Sequence, residues 1–441
     1  MKRENIIDVL RSFCNEPCDC GKRHYFCVDE IIVEKGAIGR VAEVIARYHA
    51  KKVFVLADRH TYEAAGKRIC EVLASNHIET VLHIFEQETV EPDEYTVGSA
   101  IMHYDPSCQF ILGIGSGVIN DIGKIVSNIA QKPYLIFGTA PSMDGYASAT
   151  SSMSVGGLKV SLPSKQPNVI MADTEILAAA PMELLQAGIG DMLAKYVAIC
   201  EWRIAKLIVD EYYCDRVARL VTSCLEKCVS NLDGLLAREE EAVANVFEGL
   251  VVCGIGMSLA GCSRPASGVE HYFSHIWDMR GLAKRTPVAL HGIQCAVGTR
   301  LAIQRFERIK QLLPDRERAL RAAAEFDFSV WSEKLRDFIG EGAESMIAQE
   351  EREGKYDRAR HAARLERILS HWNEILELID TLPREEEIVT LLERLGAPKS
   401  AQEIGIDPAT VPMTFMATKD IRDKYVLSRL YWDLGVLNEH A

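Results

Sequence analysis

The sequence predicts two domains, an α/β domain built on a parallel, Rossmann-like sheet and an all-α domain after it. Before about residue 175, short apolar runs alternate with helical patterns, as they do in βαβ units. Beyond that point long amphipathic segments dominate and the strand patterns end. A chain of 441 residues exceeds a typical single domain, and 48% hydrophobic residues supply two buried cores.

The individual elements follow from the same patterns. Five apolar runs predict buried strands, at residues 53–57, 81–85, 110–112, 134–137 and 169–172. Helical periodicity predicts long helices at residues 205–225, 240–259, 292–308, 316–338 and 358–382. The charged stretch 349–358, inside a segment 341–382 of unassigned role, predicts a solvated loop or helix face.

Composition excludes several classes of function. The formal net charge of −13 and the absence of a Lys/Arg cluster argue against a nucleic-acid surface. Residues 1–8 contain no apolar signal segment, and the longest uncharged stretch, residues 249–263, predicts a core helix rather than a membrane span. The thirteen cysteines are odd in number and scattered, which suits a reducing, cytoplasmic compartment.

One cysteine group near the N-terminus allows two interpretations. Cys14, Cys18, Cys20 and His24, with Cys27 close behind, are near enough in sequence to converge on a zinc ion. Their spacing differs from the common C-x2-C pairs. We therefore expect a mobile, reduced extension, with the zinc site as the alternative.

Two features of the predicted sheet suit a nucleotide. Glycines 113, 115 and 117 directly follow an apolar strand and precede helical spacing, so their backbone N–H groups can approach a pyrophosphate at a helix N-terminus. The alternative is a simple tight turn. Asp58 ends the first predicted strand. A carboxylate at this position can accept hydrogen bonds from the ribose hydroxyls and repel a 2′-phosphate. The alternative is that Asp58 only caps a helix ahead of Tyr62.

A carboxylate and separated imidazoles suit a catalytic cation. Asp191, His271 and His291 form an O,N,N set, which leaves a coordination position open for substrate. Each is also compatible with an ordinary surface or hydrogen-bonded core position. His275 follows His271 by one helical turn, so both imidazoles can point the same way and both are candidate ligands.

The whole chain resembles a known family. Residues 113–124 resemble the G-x-G-G-G-x-x-x-D-x-x-K loop of the iron-type alcohol dehydrogenase and dehydroquinate synthase superfamily, with Ser116 in place of the middle glycine. That replacement suits the turn if residue 116 does not need a positive φ. The blocks 138–148, 169–177, 188–191, 263–271 and 290–292 resemble the glycerol-1-phosphate dehydrogenase branch, and most closely its bacterial members, often encoded beside arabinose genes. The similarity continues through residues 419–425 and 432–435.

The resemblance implies a dehydroquinate synthase-like fold and a division of the chain. Together with the change of pattern near residue 175, it predicts a cysteine-rich extension at residues 1–28, a dinucleotide-binding domain at 29–174 and a helical metal- and substrate-binding domain at 175–441. It further implies a cytoplasmic, homodimeric NAD(P)-dependent enzyme of phospholipid metabolism, which transfers hydride reversibly between NAD(P)H and dihydroxyacetone phosphate and forms sn-glycerol 1-phosphate.

The alternatives are a glycerol dehydrogenase, a lyase of the dehydroquinate synthase type and a non-enzymatic sensor. The lyase is disfavoured because its first metal carboxylate is usually a glutamate, whereas this chain has Asp191. The intact set of Asp191, His271 and His291 speaks against the sensor.

The resemblance also assigns roles to residues. It implies dinucleotide contacts for Asp58, Gly115, Gly117, Val118, Ile119, Asn120, Asp121, Thr139, Ala140, Pro141, Ser142 and Ser148. It makes Asp191, His271 and His291 the ligands of one divalent metal, for which we expect zinc and which nickel also fits. Asp144, Asp191 and His275 then meet the substrate, and His275, or a water that it orders, protonates the developing alkoxide. Lys159, Arg264 and Arg422 either bind the phosphate or form ordinary ion pairs.

Overall fold

The computed structural model describes residues 6–156 and 158–440, without the side chains of Leu158, Lys159 and His440. The chain forms two compact units. Unit 1 comprises Met1–Met192 and Arg219–Cys262, and unit 2 comprises Leu193–Ala218 and Ser263–Ala441.

Unit 1 contains a six-stranded sheet in the order β1-β8-β5-β4-β2-β3, with every strand pair parallel. Its strands are β1 (Glu30–Glu34), β2 (Lys52–Asp58), β3 (Glu79–Phe85), β4 (Phe110–Gly115), β5 (Tyr134–Gly138) and β8 (Val169–Asp173). An antiparallel hairpin pairs β6 (Thr150–Val155) with β7 (Leu158–Pro163). All residues of β4, β5 and β8 are buried, as expected of parallel strands covered on both faces. The predicted fold class is confirmed.

All five predicted strands are present, and three further strands escaped prediction. Strand β1 has only three apolar residues between two glutamates, so its apolar run is short. The hairpin strands contain four serines and pair with each other outside the main sheet. Apolar runs therefore identify the buried centre of this sheet better than its edge.

The sheet has a topological switch point at β2. The chain passes from β2 to β3 on one side and then returns to β4 on the other side of β2. In open α/β sheets, ligands bind beyond the carboxyl ends of strands at such a point. Asp58, which ends β2, and Gly115, which ends β4, therefore flank the expected binding crevice.

Helices make up most of the remaining described chain. They are α1 (Ile6–Asn15), α2 (Val41–Ala46), α3 (Arg59–Thr61), α4 (Lys67–Ser75), α5 (Glu94–His103), α6 (Gly117–Ala130), α7 (Thr174–Ala179), α8 (Met182–Val209), α9 (Asp215–Ser230), α10 (Leu232–Leu236), α11 (Glu240–Ala260), α12 (Val269–Lys284), α13 (His291–Ile309), α14 (Arg316–Glu325), α15 (Phe328–Ile339), α16 (Ala343–Glu353), α17 (Arg358–Ser370), α18 (Trp372–Ile379), α19 (Glu385–Leu395), α20 (Val411–Thr418), α21 (Leu427–Asp433) and α22 (Leu437–His440).

Three of the predicted long helices are interrupted. Asp210 adopts a φ of 53° after α8, so the predicted helix 205–225 is two helices. Asp327 accepts hydrogen bonds from the next N–H groups and begins α15, which divides 316–338. His371 separates α17 from α18 within 358–382. Amphipathic spacing alone does not show where one helix ends and the next begins.

The prediction that residues 349–358 form only a solvated face is wrong at Glu350. This side chain is buried, and its Oε2 lies 2.9 Å from Nη2 of buried Arg429. Lys355 Nζ lies 2.7 Å from Glu350 Oε1. A buried carboxylate is tolerated here because two cations compensate its charge.

Helix α11 explains why unit 1 extends beyond the predicted boundary near residue 175. That boundary marks the end of the sheet, since β8 ends at Asp173. Phe247 on α11, however, packs its ring 4.8 Å from that of Tyr146 and occupies the space beside Gly138. By length and composition α11 is apolar enough to cross a membrane, but 83% of the residues in its most apolar stretch are buried within the protein. It is a core helix, as predicted.

Candidate active site

The glycine turn joins β4 to α6 at the switch point of unit 1. Ser116 has a φ of −111°, so this position does not need glycine. At Gly115, by contrast, an added Cβ would lie 2.6 Å from Ile119 Cγ1, which leaves no room for a larger residue. The first-turn N–H groups at Gly117, Val118 and Ile119 have no acceptor within the helix, and the helix dipole is positive there. The turn therefore offers N–H donors at a helix N-terminus, and pyrophosphate binding there remains a prediction.

Polar residues of α6 hold the neighbouring loop in place. Asn120 Nδ2 donates to the Gly145 carbonyl at 3.1 Å. The buried Lys124 ammonium lies 2.9 Å from Asp121 Oδ1 and donates to Ser148 Oγ at 3.0 Å. These bonds fix the loop 139–148 against the glycine turn. The dinucleotide contacts of Asn120, Asp121 and Ser148 remain predictions.

The same loop lies against the end of the sheet. Thr139 N–H donates to the Gly115 carbonyl at 3.1 Å. The Ala140 carbonyl accepts a hydrogen bond from the Tyr146 hydroxyl at 2.6 Å and one from Ser142 N–H at 3.1 Å. The structure therefore brings Thr139, Ala140 and Ser142 to the carboxyl edge, where the sequence places the nicotinamide half.

Asp144 and Asp191 meet within unit 1. Asp144 N–H donates to Asp191 Oδ2 at 2.8 Å, and both residues are buried. Gly188 on α8 permits this approach, because a Cβ there would lie 1.9 Å from the Pro141 carbonyl oxygen. The contact fixes the orientation of the Asp191 carboxylate, one of the three predicted metal ligands.

Asp58 caps a helix. Its Oδ1 accepts a hydrogen bond from Thr61 N–H at 2.8 Å, and its own N–H donates to Thr61 Oγ1 at 3.0 Å. The helix begins at Arg59, slightly earlier than the position ahead of Tyr62 that the sequence suggested. Capping does not conflict with ribose binding, which remains a prediction.

Two imidazoles in unit 2 are oriented as metal ligands are. His271 on α12 and His291 at the start of α13 have ring centroids 5.1 Å apart. His271 Nδ1 lies 2.8 Å from Glu270 Oε1, and His291 Nδ1 lies 3.1 Å from Ser274 Oγ. Because Nδ1 contacts a polar side chain in both rings, Nε2 is the nitrogen that would face a metal. Neither Glu270 nor Ser274 was predicted.

Cys295 joins these histidines and was also missed. Its Sγ lies 3.6 Å from His291 Nε2, and the ligand atoms of Cys295, His271 and His291 lie within 4.8 Å of one another. Burial raises the pKa of the thiol, but the two imidazoles outweigh burial and lower it below its ordinary value. Cys295 follows His291 by one helical turn, so its spacing was a usable signal. This soft donor set suits zinc and nickel better than magnesium or calcium.

Asp191 lies in unit 1 and the two histidines in unit 2. Its role as the third ligand therefore stays a prediction from the resemblance. Its carboxylate is fully buried on α8, a setting in which a negative charge requires compensation.

His275 lies beside the histidine pair but outside the ligand cluster. Its ring centroid is 6.3 Å from that of His291, and among the described residues it is not grouped with the candidate ligands. This favours the assignment in which His271 is the only metal ligand that α12 contributes. Burial and then the charge of Arg422 lower the pKa of His275 well below its ordinary value. His275 is therefore a neutral imidazole near pH 7, with one donor and one acceptor nitrogen.

The basic candidates have different surroundings. Arg264 is buried and forms a two-pronged ion pair with Glu211, with Nε donating to Oε1 at 2.6 Å. An ion pair therefore accounts for Arg264. Arg422 is close enough to His275 to depress its pKa, so this cation is the candidate for a phosphate. The Lys159 side chain lies outside the described residues.

Comparisons of the sequence with known proteins identify a family model and relatives that this chain resembles. Residues 32–181 match the family model described as iron-containing alcohol dehydrogenase. A glycerol-1-phosphate dehydrogenase (NAD(P)+) from Geobacillus stearothermophilus is 27% identical over 424 residues, which is 95% of each chain. A relative of the same name from Methanosarcina mazei is 35% identical over 273 residues, covering 61% of this chain and 74% of that one.

Solved structures share the fold. A glycerol dehydrogenase from Schizosaccharomyces pombe superposes with a TM-score of 0.60 at 17% identity, covering 95% of this chain and 91% of that one. A probable glycerol dehydrogenase from Sinorhizobium meliloti 1021 gives 0.58 at 19% identity, with 92% of each chain covered. The family model and the sequence relatives establish that the chain belongs to the iron-containing alcohol dehydrogenase family, and within it to the glycerol-1-phosphate dehydrogenase branch.

Proposed function

We propose that this protein is an NAD(P)-dependent, metal-requiring dehydrogenase that interconverts dihydroxyacetone phosphate and sn-glycerol 1-phosphate. The observation that carries the proposal is the histidine arrangement in unit 2. His271 and His291 present Nε2 with Nδ1 held by Glu270 and Ser274, next to a neutral His275 in the field of Arg422. The relatives named glycerol-1-phosphate dehydrogenase support the substrate.

The residues present fit a divalent metal. Two imidazole nitrogens, with the Asp191 carboxylate as the proposed third ligand, suit zinc, which we expect, and also nickel. When bound, such a cation polarises a carbonyl and stabilises the negative charge that develops on its oxygen. The Glu270 carboxylate, which only accepts, keeps His271 in the tautomer that presents Nε2, and Ser274 orients the ring of His291.

Unit 1 binds the dinucleotide in this proposal. The N–H groups of Gly117, Val118 and Ile119 hold the pyrophosphate at the start of α6. The Asp58 carboxylate accepts hydrogen bonds from the ribose hydroxyls and repels a 2′-phosphate, which favours NAD over NADP. Loop 139–148 holds the nicotinamide half, and Asp144 in this loop contacts the substrate.

His275 moves the proton. Because the imidazole is held neutral, it takes the hydroxyl proton when the alcohol is oxidised and returns a proton when the ketone is reduced. The lowered pKa keeps the imidazole in the unprotonated form that can accept this proton, and it also makes the imidazole a weaker base than an ordinary histidine. A positioned acid or base contributes roughly 10²–10⁴-fold to turnover.

Arg422 favours a phosphorylated substrate over a free polyol. The Arg422 charge, which acts on His275, attracts a phosphate dianion, whereas glycerol and dihydroxyacetone carry no charge for it to attract. A glycerol dehydrogenase-type activity is therefore the alternative that the test must separate.

A steady-state assay of the full chain tests the proposal. Turnover with NADH or NADPH is measured with dihydroxyacetone phosphate and with dihydroxyacetone, with added zinc or nickel and after chelation. We expect kcat/KM to favour the phosphorylated ketone by about 10²-fold or more. In the reverse direction, we expect oxidation of sn-glycerol 1-phosphate but not of its mirror image. Preference for dihydroxyacetone would make the protein a polyol dehydrogenase.

We also infer that the protein is a cytoplasmic homodimer. Light scattering after size-exclusion chromatography tests the dimer, because a single mass twice that of one chain is expected. A monomeric mass at working concentrations would overturn it.

A further inference from the structure

A second group of cysteine and histidine side chains that could hold a metal lies in unit 1, whereas the histidines of α12 and α13 belong to unit 2. Cys18, Cys20 and His24 belong to the irregular segment between α1 and β1, in which residues 17–29 form neither helix nor strand. Their ligand atoms lie within 4.8 Å of one another. Three such donors from seven consecutive residues form a compact set.

The orientation of His24 matches that of a ligand. The residue is only 2% exposed, and its Nδ1 lies 2.6 Å from the Leu259 carbonyl oxygen in the last turn of α11. A carbonyl can only accept, so Nδ1 carries the proton and Nε2 carries the lone pair. That Nε2 lies 3.5 Å from Cys20 Sγ.

A tight turn brings the thiols together. Gly21 N–H donates to the Cys18 carbonyl at 3.0 Å, and Gly21 has a φ of +76°. Glycine adopts this left-handed conformation without the steric cost that other residues meet. The turn reverses the chain between Cys18 and His24, so the two cysteines and the histidine face one point.

The other cysteines of this region are separate. Cys14 and Cys27, which the sequence places in the same group, contribute no ligand atom to the cluster. Cys27 is exposed, and its N–H donates to Gln166 Oε1 at 2.7 Å. These two residues therefore serve as matched controls for Cys18 and Cys20.

We propose that Cys18, Cys20 and His24 bind a structural zinc ion, distinct from the catalytic cation. Two thiolates and one imidazole are the donors that zinc takes in structural sites, and the fourth ligand is a further thiolate or a water. The ion fixes the irregular segment to the C-terminal end of α11 through the His24–Leu259 hydrogen bond. Its binding free energy adds to the stability of unit 1.

Metal analysis of the full-length protein tests this site. Zinc per chain is measured by plasma mass spectrometry for the parent, for Cys18→Ser, Cys20→Ser and His24→Gln, and for the controls Cys14→Ser and Cys27→Ser. We expect each of the first three to lose one zinc per chain and to melt at a lower temperature, while the controls match the parent. Equal zinc content in Cys20→Ser, Cys27→Ser and the parent would overturn the proposal.

Cobalt substitution provides a readout that does not require the cluster variants to fold. Cobalt(II) bound to thiolates gives a near-ultraviolet charge-transfer band whose intensity counts the thiolates. The Cys295→Ser protein removes the thiol next to the catalytic histidines, so we expect its remaining band to report at least two thiolates from Cys18 and Cys20. Absence of that band would overturn the site whatever the outcome of the dehydrogenase assay.

Discussion

His271 Nδ1 lies 2.8 Å from an Oε1 oxygen of Glu270, its neighbour in the sequence. The same Oε1 accepts a hydrogen bond from Gly268 N–H at 2.6 Å, so the start of α12 fixes the carboxylate. A carboxylate held in this way raises the basicity of the imidazole and fixes which nitrogen faces a metal.

Replacement of Glu270 is therefore expected to weaken metal binding. In Glu270→Gln the side chain keeps its shape but loses its charge, and loss of such a partner costs about 10–100-fold in metal affinity. Chelator competition measures the change, with Glu241→Gln, an exposed site on α11, as the control. NADH affinity is expected to stay the same. Unchanged metal affinity in Glu270→Gln would show that Glu270 only caps α12.

The paired histidines of α12 are expected to separate by role. His271→Ala loses its metal, whereas His275→Ala retains metal and binds NADH but loses about 10²–10⁴-fold in turnover. Metal analysis and single-turnover kinetics of the two variants measure this. If His275→Ala loses its metal while His271→Ala retains it, the two roles must be exchanged.

Asp58 offers a test that separates charge from capping. Asp58→Asn keeps a good helix cap at Thr61 but lacks the charge that repels a 2′-phosphate. We expect the preference for NADH over NADPH to narrow while the melting temperature changes little. Asp58→Ala, which also removes the cap, is expected to cost about 0.5–2 kcal/mol in stability. An unchanged cofactor ratio in both variants would leave Asp58 as a cap alone.

The sequence predicts those elements whose residue pattern can be recognised within a short stretch of the chain. Apolar runs identify the central strands, and close packing at Gly115 explains why the glycine turn is recognisable. Glu270 and Ser274 were missed because a glutamate or serine near a histidine is common on any helix. Their role appears only when ring orientation is known.

The sequence prediction failed at Cys295 and Arg264 for a different reason. Cys295 is one turn from His291, a spacing that points to the cluster, but a single cysteine among thirteen carries little weight. Arg264 was a phosphate candidate until its partner, Glu211, was located 53 residues away in the sequence. Pairing between distant residues cannot be read from one chain.

Arg422 is expected to control substrate choice. In Arg422→Gln, kcat/KM for dihydroxyacetone phosphate falls by about 10²-fold or more, because a charged phosphate loses its partner. The value for dihydroxyacetone changes little. The pH profile supplies an independent readout: removal of a positive charge raises the pKa of His275, so the profile shifts to higher pH. Arg321→Gln, at an exposed position, serves as the control. If Arg422→Gln behaves like this control in both measurements, Arg422 does not bind the phosphate.

Glu201 makes the stability of unit 2 depend on pH. Burial, and then the charge of Glu270, raises the pKa of this carboxyl from 4.5 to about 8. Its oxygens accept hydrogen bonds from Val269 N–H at 3.0 Å and Leu427 N–H at 2.8 Å. A folded pKa above the unfolded one means that the folded state binds the proton more tightly. This contribution to stability is therefore complete below about pH 4.5 and is lost as the pH rises to about 8.

The free energy of unfolding is accordingly expected to fall between pH 5 and pH 8, with a slope of up to about 1.4 kcal/mol per pH unit from this group. Urea unfolding of the full chain at several pH values measures the slope. In Glu201→Gln the slope flattens, although one backbone hydrogen bond is lost at every pH because an amide has a single acceptor oxygen. Glu241→Gln keeps the slope of the parent. If the slope persists in Glu201→Gln, another group carries the pH dependence and Glu201 is ionised in the folded state.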